Sequence, residues 1–349
     1  MDMQFGLIGF GAWGSHHARA IAQTPGAKLT AIADASEDNR RLAQKEFPAA
    51  EVLADYRDLV ARRDLEIVDI ATPSFLHEEM AVRALEAGKH VIVEKPMAVD
   101  EKSCNAILAA VRRTGKVLNV VHEFRVSVQW GAVKKFIAEG RLGDPLYLLI
   151  NLWRRPYRLG NSGWRWDRQR VGSWILEEPI HFFDLALWYF QALGDPSSIF
   201  AQANSRGREE GLCDNFSALI RWKNGAYVSL NHTLGGFEHH HLVELVGTKG
   251  ALRSWWGAEM DRTSEPSFGM KFLARKTAGE EFDTGEPEEI RFPGKSGELF
   301  ELKELIARSL DSVKKGTPFL GAEEGRKSVL LCLLGEESAR LNKEVPICF

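Results

Sequence analysis

The chain has 349 residues, 44% of them hydrophobic and 27% charged, with a formal net charge of -3. That length exceeds one comfortable core and suits two domains of ordinary size, and the composition is that of a globular protein. The slightly acidic balance excludes a broad nucleic-acid-binding surface, although an acidic small-molecule substrate stays open. The N-terminal residues run straight into a strand pattern, with no basic-then-apolar leader and no stretch long enough for a membrane span. A cytoplasmic chain without a membrane partner is therefore expected. Cys104, Cys213, Cys332 and Cys348 show no C-x-x-C spacing, which reads as idle thiols rather than a disulfide framework or a zinc site.

Between residues 4 and 121, short β-branched runs (Phe5–Gly9, Leu29–Ala33, Ile67–Ala71, Val91–Glu94 and Val117–Val121) alternate with amphipathic stretches such as Ser15–Gln23, Asp38–Glu46 and Glu78–Ala87. Parallel strands need connections that cross a sheet face, so this alternation predicts a doubly wound α/β domain over 1–121. After Val121 the texture changes. A helix near 128–139 is followed by longer strand runs (Leu146–Trp153, Phe200–Asn204, Phe216–Trp222, Ala226–His232 and His241–Gly247), punctuated by turn pairs such as Asn224-Gly225. These predict a second domain over 122–349 with a large, mainly antiparallel sheet. Met260–Pro293 is polar and weakly periodic, which reads as irregular or edge strand, and two helical patterns near 297–315 and 322–342 close the chain.

Gly9-Phe10-Gly11-Ala12-Trp13-Gly14 lies between a strand and a helix. In that context the glycines allow a tight turn and close approach of backbone to a pyrophosphate, whose charge meets the N–H groups of the following helix. Asp34 ends the second strand, where a carboxylate reads ribose hydroxyls and repels a 2′-phosphate. NAD is the expected cofactor, with NADP disfavoured and Arg40 and Arg41 close enough to soften that preference. Thr72, Pro73 and His77 follow the fourth β-run, and Glu94 and Lys95 end the next, all at carboxyl ends of parallel strands where such sheets bind ligands. By position alone Lys95 is either a stray cation at a strand end or a group aimed over the nicotinamide.

Gly9-x-Gly11-x-x-Gly14, Thr72-Pro73-x-x-x-His77, Ala87-Gly88-Lys89-His90-Val91 and Glu94-Lys95-Pro96 together resemble the Gfo/Idh/MocA family of sugar and inositol oxidoreductases. The resemblance continues through Arg141–Pro145, Gly163-Trp164-Arg165, Val243–Gly250 and the terminal helix. It implies a Rossmann domain plus an α+β domain whose sheet forms oligomer contacts, hence a homodimer or homotetramer. It also implies NAD(P)-dependent hydride transfer at a sugar-like carbon, with Lys95 as a catalytic and substrate-contacting residue.

The family carries an aspartate four residues before a histidine at the start of a helix, and here Glu177 stands in the aspartate's place before His181. Pro179 suits a first helical turn, so His181 is expected near a helix N-terminus, whose dipole disfavours imidazolium and suits a proton acceptor. Glu178 is an equally near carboxylate. Arg154, Arg155, Arg158, Arg165, Arg168 and Arg170 crowd a stretch interleaved with Trp153, Trp164, Trp166 and Trp174. That stretch reads either as a site for an anionic sugar, with Arg154, Trp164 and Arg165 touching substrate, or as a subunit interface. His122 and Arg125 follow the last Rossmann strand at a cleft edge as further substrate candidates, with Arg125 equally readable as an anchor of the domain junction. Of His239-His240-His241 only the first and third can share a strand face; without a third matched ligand no metal site is assigned.

The expected activity is hydride transfer between nicotinamide and a secondary alcohol or ketone of a sugar, polyol or glycoside. Two alternatives stay open: a redox-neutral glycosidase that oxidises C3 transiently and eliminates, and a nicotinamide- and sugar-sensing regulator without turnover.

Overall fold

The computed structural model describes residues 2–206, 211–260, 262–275 and 286–349. Two compact units emerge: Met1–Glu123 with Gln169–Gly172 and Glu301–Val329, and Phe124–Arg168 with Ser173–Phe300 and Leu330–Phe349.

In the first unit the chain runs β1 (Met3–Ile8), α1 (Gly14–Ala22), β2 (Ala27–Ala33), α2 (Glu37–Glu46), β3 (Glu51–Leu53), α3 (Tyr56–Ala61), β4 (Ile67–Ile70), α4 (His77–Glu86), β5 (His90–Glu94), α5 (Glu101–Thr114) and β6 (Leu118–Val121). The strands pair in parallel in the order β3-β2-β1-β4-β5-β6. β4 and β6 are buried along their whole length, as expected of strands covered on both faces. Helix starts follow side-chain chemistry: Ser36 caps α2, Asp55 caps α3 and Asp100 caps α5, each accepting a backbone N–H. The order reverses between β2-β1 and β4-β5, and the carboxyl ends there present Gly9, Asp34, Thr72 and Lys95 along one edge. Residues far along the chain complete this unit. Asn119 Nδ2 donates to Ser312 Oγ (2.8 Å), the Val120 N–H to the Leu320 carbonyl (2.8 Å), and Arg326 to Glu101 (2.9 Å).

The rest of the chain contributes α6 (Trp130–Ala138), β7 (Pro145–Trp153), α7 (Arg168–Val171), α8 (Pro179–Tyr189), β8 (Ser198–Asn204), β9 (Asn215–Arg221), β10 (Tyr227–Thr233), β11 (His239–Gly247), β12 (Gly250–Ala258), β13 (Ser267–Ala274), β14 (Glu288–Glu289), α9 (Glu298–Lys315), α10 (Ala322–Leu341) and β15 (Val345–Pro346). β7 to β15 form a nine-stranded sheet in the order β14-β13-β12-β11-β7-β10-β9-β8-β15. The β7–β10 pair is parallel and the other described pairs are antiparallel. Its inner face alternates in register, with Ile150, Leu230 and Val243 among the buried positions. Helix α8 packs on β7 and β10, and it is buried from Pro179 to Ala186 because it is apolar nearly all round. Over Met260–Pro293, where the sequence predicts irregular chain or edge strand, β14 is the edge strand, residues 261 and 276–285 lie outside the described set, but β13 is an eight-residue strand one place in from the edge. Its alternation is concealed in the sequence by Gly269, whose missing Cβ leaves room for the ring of Trp255.

Glu336 of α10 lies under Ser173, whose hydroxyl donates to it, and burial pushes its carboxyl up from 4.5 to about 7. The unfolded chain releases this proton near 4.5 and the folded one near 7, so stability falls as pH rises through that window and is level above it. Glu336→Gln should therefore flatten the pH profile of the urea midpoint between pH 5 and 8 and stabilise the protein at pH 8. The expected gain is about 2 kcal/mol, after a discount for partial exposure. A variant profile parallel to wild type would contradict this assignment.

Candidate active site

The glycine turn after β1 has the geometry its sequence asks for. Gly9 adopts φ +95°, a conformation that strains other residues, and a Cβ on Gly14 would overlap the Gly9 carbonyl oxygen. Gly11 has no atom within 4 Å of a Cβ position, so its open side admits a ligand close to the backbone. Behind the turn, α1 starts without a side-chain cap and without an acidic residue in its first turn, which leaves its N-terminus suited to phosphate. Asp34 is tied to the same turn: Oδ2 accepts from the Phe10 N–H (2.6 Å) and from Asn39 Nδ2 (3.2 Å), and Oδ1 from the Ser36 N–H (2.8 Å). Arg40 hydrogen-bonds the backbone carbonyls of Asp34 and Ala35, and Arg41 is an exposed partner of Glu37. Phe10 is buried edge-on to Phe47, whereas Ala12 is exposed. The residues present therefore fit a dinucleotide: an open glycine turn, a helix start without a side-chain cap and a carboxylate fixed at the end of β2 beside the turn.

One side-chain network joins this turn to the lysine. Glu94, the last residue of β5, accepts through Oε1 from the Trp13 indole (2.7 Å) and through Oε2 from the Lys95 N–H (3.0 Å). The same Oε1 lies 2.9 Å from His17 Nε2, and His17 Nδ1 lies 2.8 Å from Asp69 Oδ2. Burial alone would strip His17 of its proton, but Asp69 and Glu94 raise it to about 10, so it stands as an imidazolium between two carboxylates. Burial pushes the Glu94 carboxyl up, and the hydrogen bond and charge of His17, with Lys95 and Trp13, bring it below the ordinary range. Neither His17 nor Asp69 was singled out from sequence; the visible clue was an aspartate inside the fully buried run Ile67–Ile70. The Lys95–Pro96 peptide is cis, and Lys95 itself is half-buried. His77 is fully buried, with Nδ1 2.8 Å from the Pro96 carbonyl and Nε2 2.9 Å from that of Thr72. It thus braces the loops after β4 and β5, and Thr72 and Pro73 remain half-buried at the strand end. His122 is buried just after β6.

In the second unit Pro179 occupies the first turn of α8 and His181 follows it, buried, with Phe124 stacked on its ring at 4.5 Å. Glu177 accepts from Arg165 Nε (2.8 Å), and Arg165 in turn lies over the Trp164 ring at 4.6 Å. Glu178 pairs with Arg154, whose guanidinium also covers Tyr157 at 4.2 Å. Two of the six crowded arginines thus meet the two glutamates beside His181. Arg168 donates to the Gly211 carbonyl, and Arg170 lies over Phe75. Arg125 forms a bidentate pair with buried Asp184 (2.7 and 2.6 Å) and packs on Trp188. His239 and His241 point to the buried face of β11, while His240 stacks on Trp153 on the other.

A glycine turn closed by an aspartate, on a parallel sheet with a lysine at a neighbouring strand end, is the arrangement of a dinucleotide-binding Rossmann domain. Residues 3–122 match the family model described as "Oxidoreductase family, NAD-binding Rossmann fold", and residues 130–253 match the "GFO/IDH/MocA C-terminal domain". The chain belongs to the Gfo/Idh/MocA family, and its first unit is an NAD-binding Rossmann domain.

Among its relatives is 1-carboxy-3-chloro-3,4-dihydroxycyclohexa-1,5-diene dehydrogenase of Comamonas testosteroni, 30% identical over 250 residues, covering 70% of this chain and 61% of that protein. Levoglucosan dehydrogenase of Pseudarthrobacter phenanthrenivorans is 28% identical over 284 residues, covering 72% and 73% of the two chains. A solved levoglucosan dehydrogenase, in complex with NADH and levoglucosan, superimposes with a TM-score of 0.85 over 100% of both chains at 23% identity, a likeness of fold. No described helix is long and apolar enough to cross a membrane.

Proposed function

We propose that this chain transfers a hydride between nicotinamide and a secondary alcohol or ketone of a sugar, polyol or glycoside. The observation that carries the reading is the chain of contacts from the fingerprint turn to the lysine, Trp13 to Glu94 to Lys95, which fixes the strand end beside the dinucleotide turn. Bound NAD supplies the hydride acceptor. Lys95 hydrogen-bonds the reacting oxygen and stabilises its developing charge, and His181 takes or returns its proton. Glu177, held by Arg165, orients His181. Because Arg154 and Arg165 already face Glu178 and Glu177, a neutral sugar fits better than an anionic one. NAD is preferred over NADP, since Asp34 occupies the adenosine edge and would repel a 2′-phosphate. The outer face of the nine-stranded sheet carries exposed Trp153, Leu219 and Tyr227, which favours self-association there.

A panel of sugars, anhydrosugars and inositols, assayed for NADH formation, tests the activity. NADH with at least one member is expected, and release of free sugar without net NADH would move the reading to transient oxidation and elimination. Asp34→Ala should lower the NAD-to-NADP ratio of kcat/KM by about tenfold to a hundredfold, from loss of a charged hydrogen-bond acceptor and of charge repulsion. Preference for NADP in the wild-type protein would refute the role given to Asp34.

A further inference from the structure

We propose that Glu178, His239 and His241 form a binding site for a divalent transition-metal ion, of the zinc class, in the second unit. The two histidines are separated by one residue on β11, so the pleat carries both to the buried face and sends His240 to the other. The third donor comes from Glu178, the residue before α8, far away in sequence and invisible to any spacing rule. His239 Nε2 lies 2.6 Å and His241 Nε2 3.1 Å from the same Glu178 oxygen, Oε1, and the two ring nitrogens are 2.9 Å apart.

The chemistry of the set is that of a metal rather than of a sugar. Two imidazoles and one carboxylate match the protein ligands of open zinc sites, which leave a coordination position for water or a substrate oxygen. Ligands held about 2.0–2.1 Å from one tetrahedral ion sit roughly 3.3 Å from each other. The edges of the triangle, 2.6, 2.9 and 3.1 Å, need to open by about 0.7, 0.4 and 0.2 Å to reach that separation. Its ring orientations are set in advance, since His241 stacks on Trp256 at 5.1 Å and meets the edge of Phe182 at 4.9 Å. Arg154 holds the other carboxylate oxygen, Oε2, so Oε1 is the atom directed at the histidines. A partner on the outer oxygen orients a metal-binding carboxylate. Its positive charge also opposes a dication, which makes the ion exchangeable rather than permanently retained. Phe124 stacks on His181 and lies 6.0 Å from His241, so the site is one aromatic ring away from the proposed proton carrier.

The test uses the full chain without a polyhistidine tag, stripped by chelator and titrated with Co²⁺ as a spectroscopic probe. One equivalent of Co²⁺ with a visible ligand-field band, displaced by Zn²⁺, is expected. His239→Asn/His241→Asn and the near-isosteric Glu178→Gln should each weaken binding at least about tenfold, with far-UV circular dichroism and NAD binding preserved. His240→Asn should leave the band unchanged. If wild type shows no band, or if the band survives in Glu178→Gln or vanishes in His240→Asn, the proposal fails. The three side chains are then a hydrogen-bonded carboxylate and imidazole cluster.

Discussion

Replacing Lys95 with alanine is expected to lower kcat by about a hundredfold to ten-thousandfold, the range over which a positioned proton-handling or oxyanion-stabilising group acts. NAD affinity should stay within about threefold of wild type. The reasoning is local. Glu94 accepts from the Lys95 backbone N–H, and the same carboxylate is held by Trp13 and His17, so truncating the side chain leaves these three contacts in place. A charge-conserving Lys95→Arg should not restore activity, because a planar fork does not replace a compact ammonium at one oxygen. Initial rates across the sugar panel and a fluorescence titration with NADH separate the two quantities. Unchanged turnover would remove Lys95 from the mechanism, and loss of NADH binding in step with kcat would make it a structural brace.

The second large effect is on stability. Arg125→Met should destabilise the second unit by about 3–5 kcal/mol, the cost of taking a buried carboxylate's guanidinium away. Asp184 is 1% exposed and receives both prongs of the fork, and the arginine's other face rests on Trp188. Adding Asp184→Asn to that variant should recover much of the loss, because the uncompensated charge goes with it. The urea midpoint followed through tryptophan fluorescence reads both. A loss under about 1 kcal/mol in Arg125→Met would show that the fork contributes little beyond what water could replace.

Where a residue's position depends on its own strand, periodicity makes it legible: the glycine turn, Asp34 and Lys95 lie at carboxyl ends of buried apolar runs. The role given to Lys95 came from the family resemblance and not from its position. The parallel sheet followed from the same alternation. The return of residues 301–329 to the first unit was not legible, since an amphipathic helix announces a buried face without naming what covers it. β13 was obscured because Gly269 interrupts its alternation. The contacts of Glu177 and Glu178 with Arg165 and Arg154, and of Glu178 with the β11 histidines, join segments more than ten and up to about sixty residues apart. Such pairings depend on tertiary packing that no local pattern encodes. The crowded arginines illustrate the consequence: read in isolation they left an anionic ligand and a subunit interface equally open, and in the structure two of them face carboxylates of this chain.

The central claim is that this protein carries out hydride transfer with Lys95 at the reacting oxygen. Single-turnover mixing of the sugar panel with NAD and an excess of enzyme, watched in the near-ultraviolet band of reduced nicotinamide, tests it most directly. A transient that later vanishes is detected as readily as a stable product. The account predicts a rise with at least one sugar in the wild-type protein and its loss in Lys95→Ala; no rise with any sugar, or an equal rise in the variant, would contradict it.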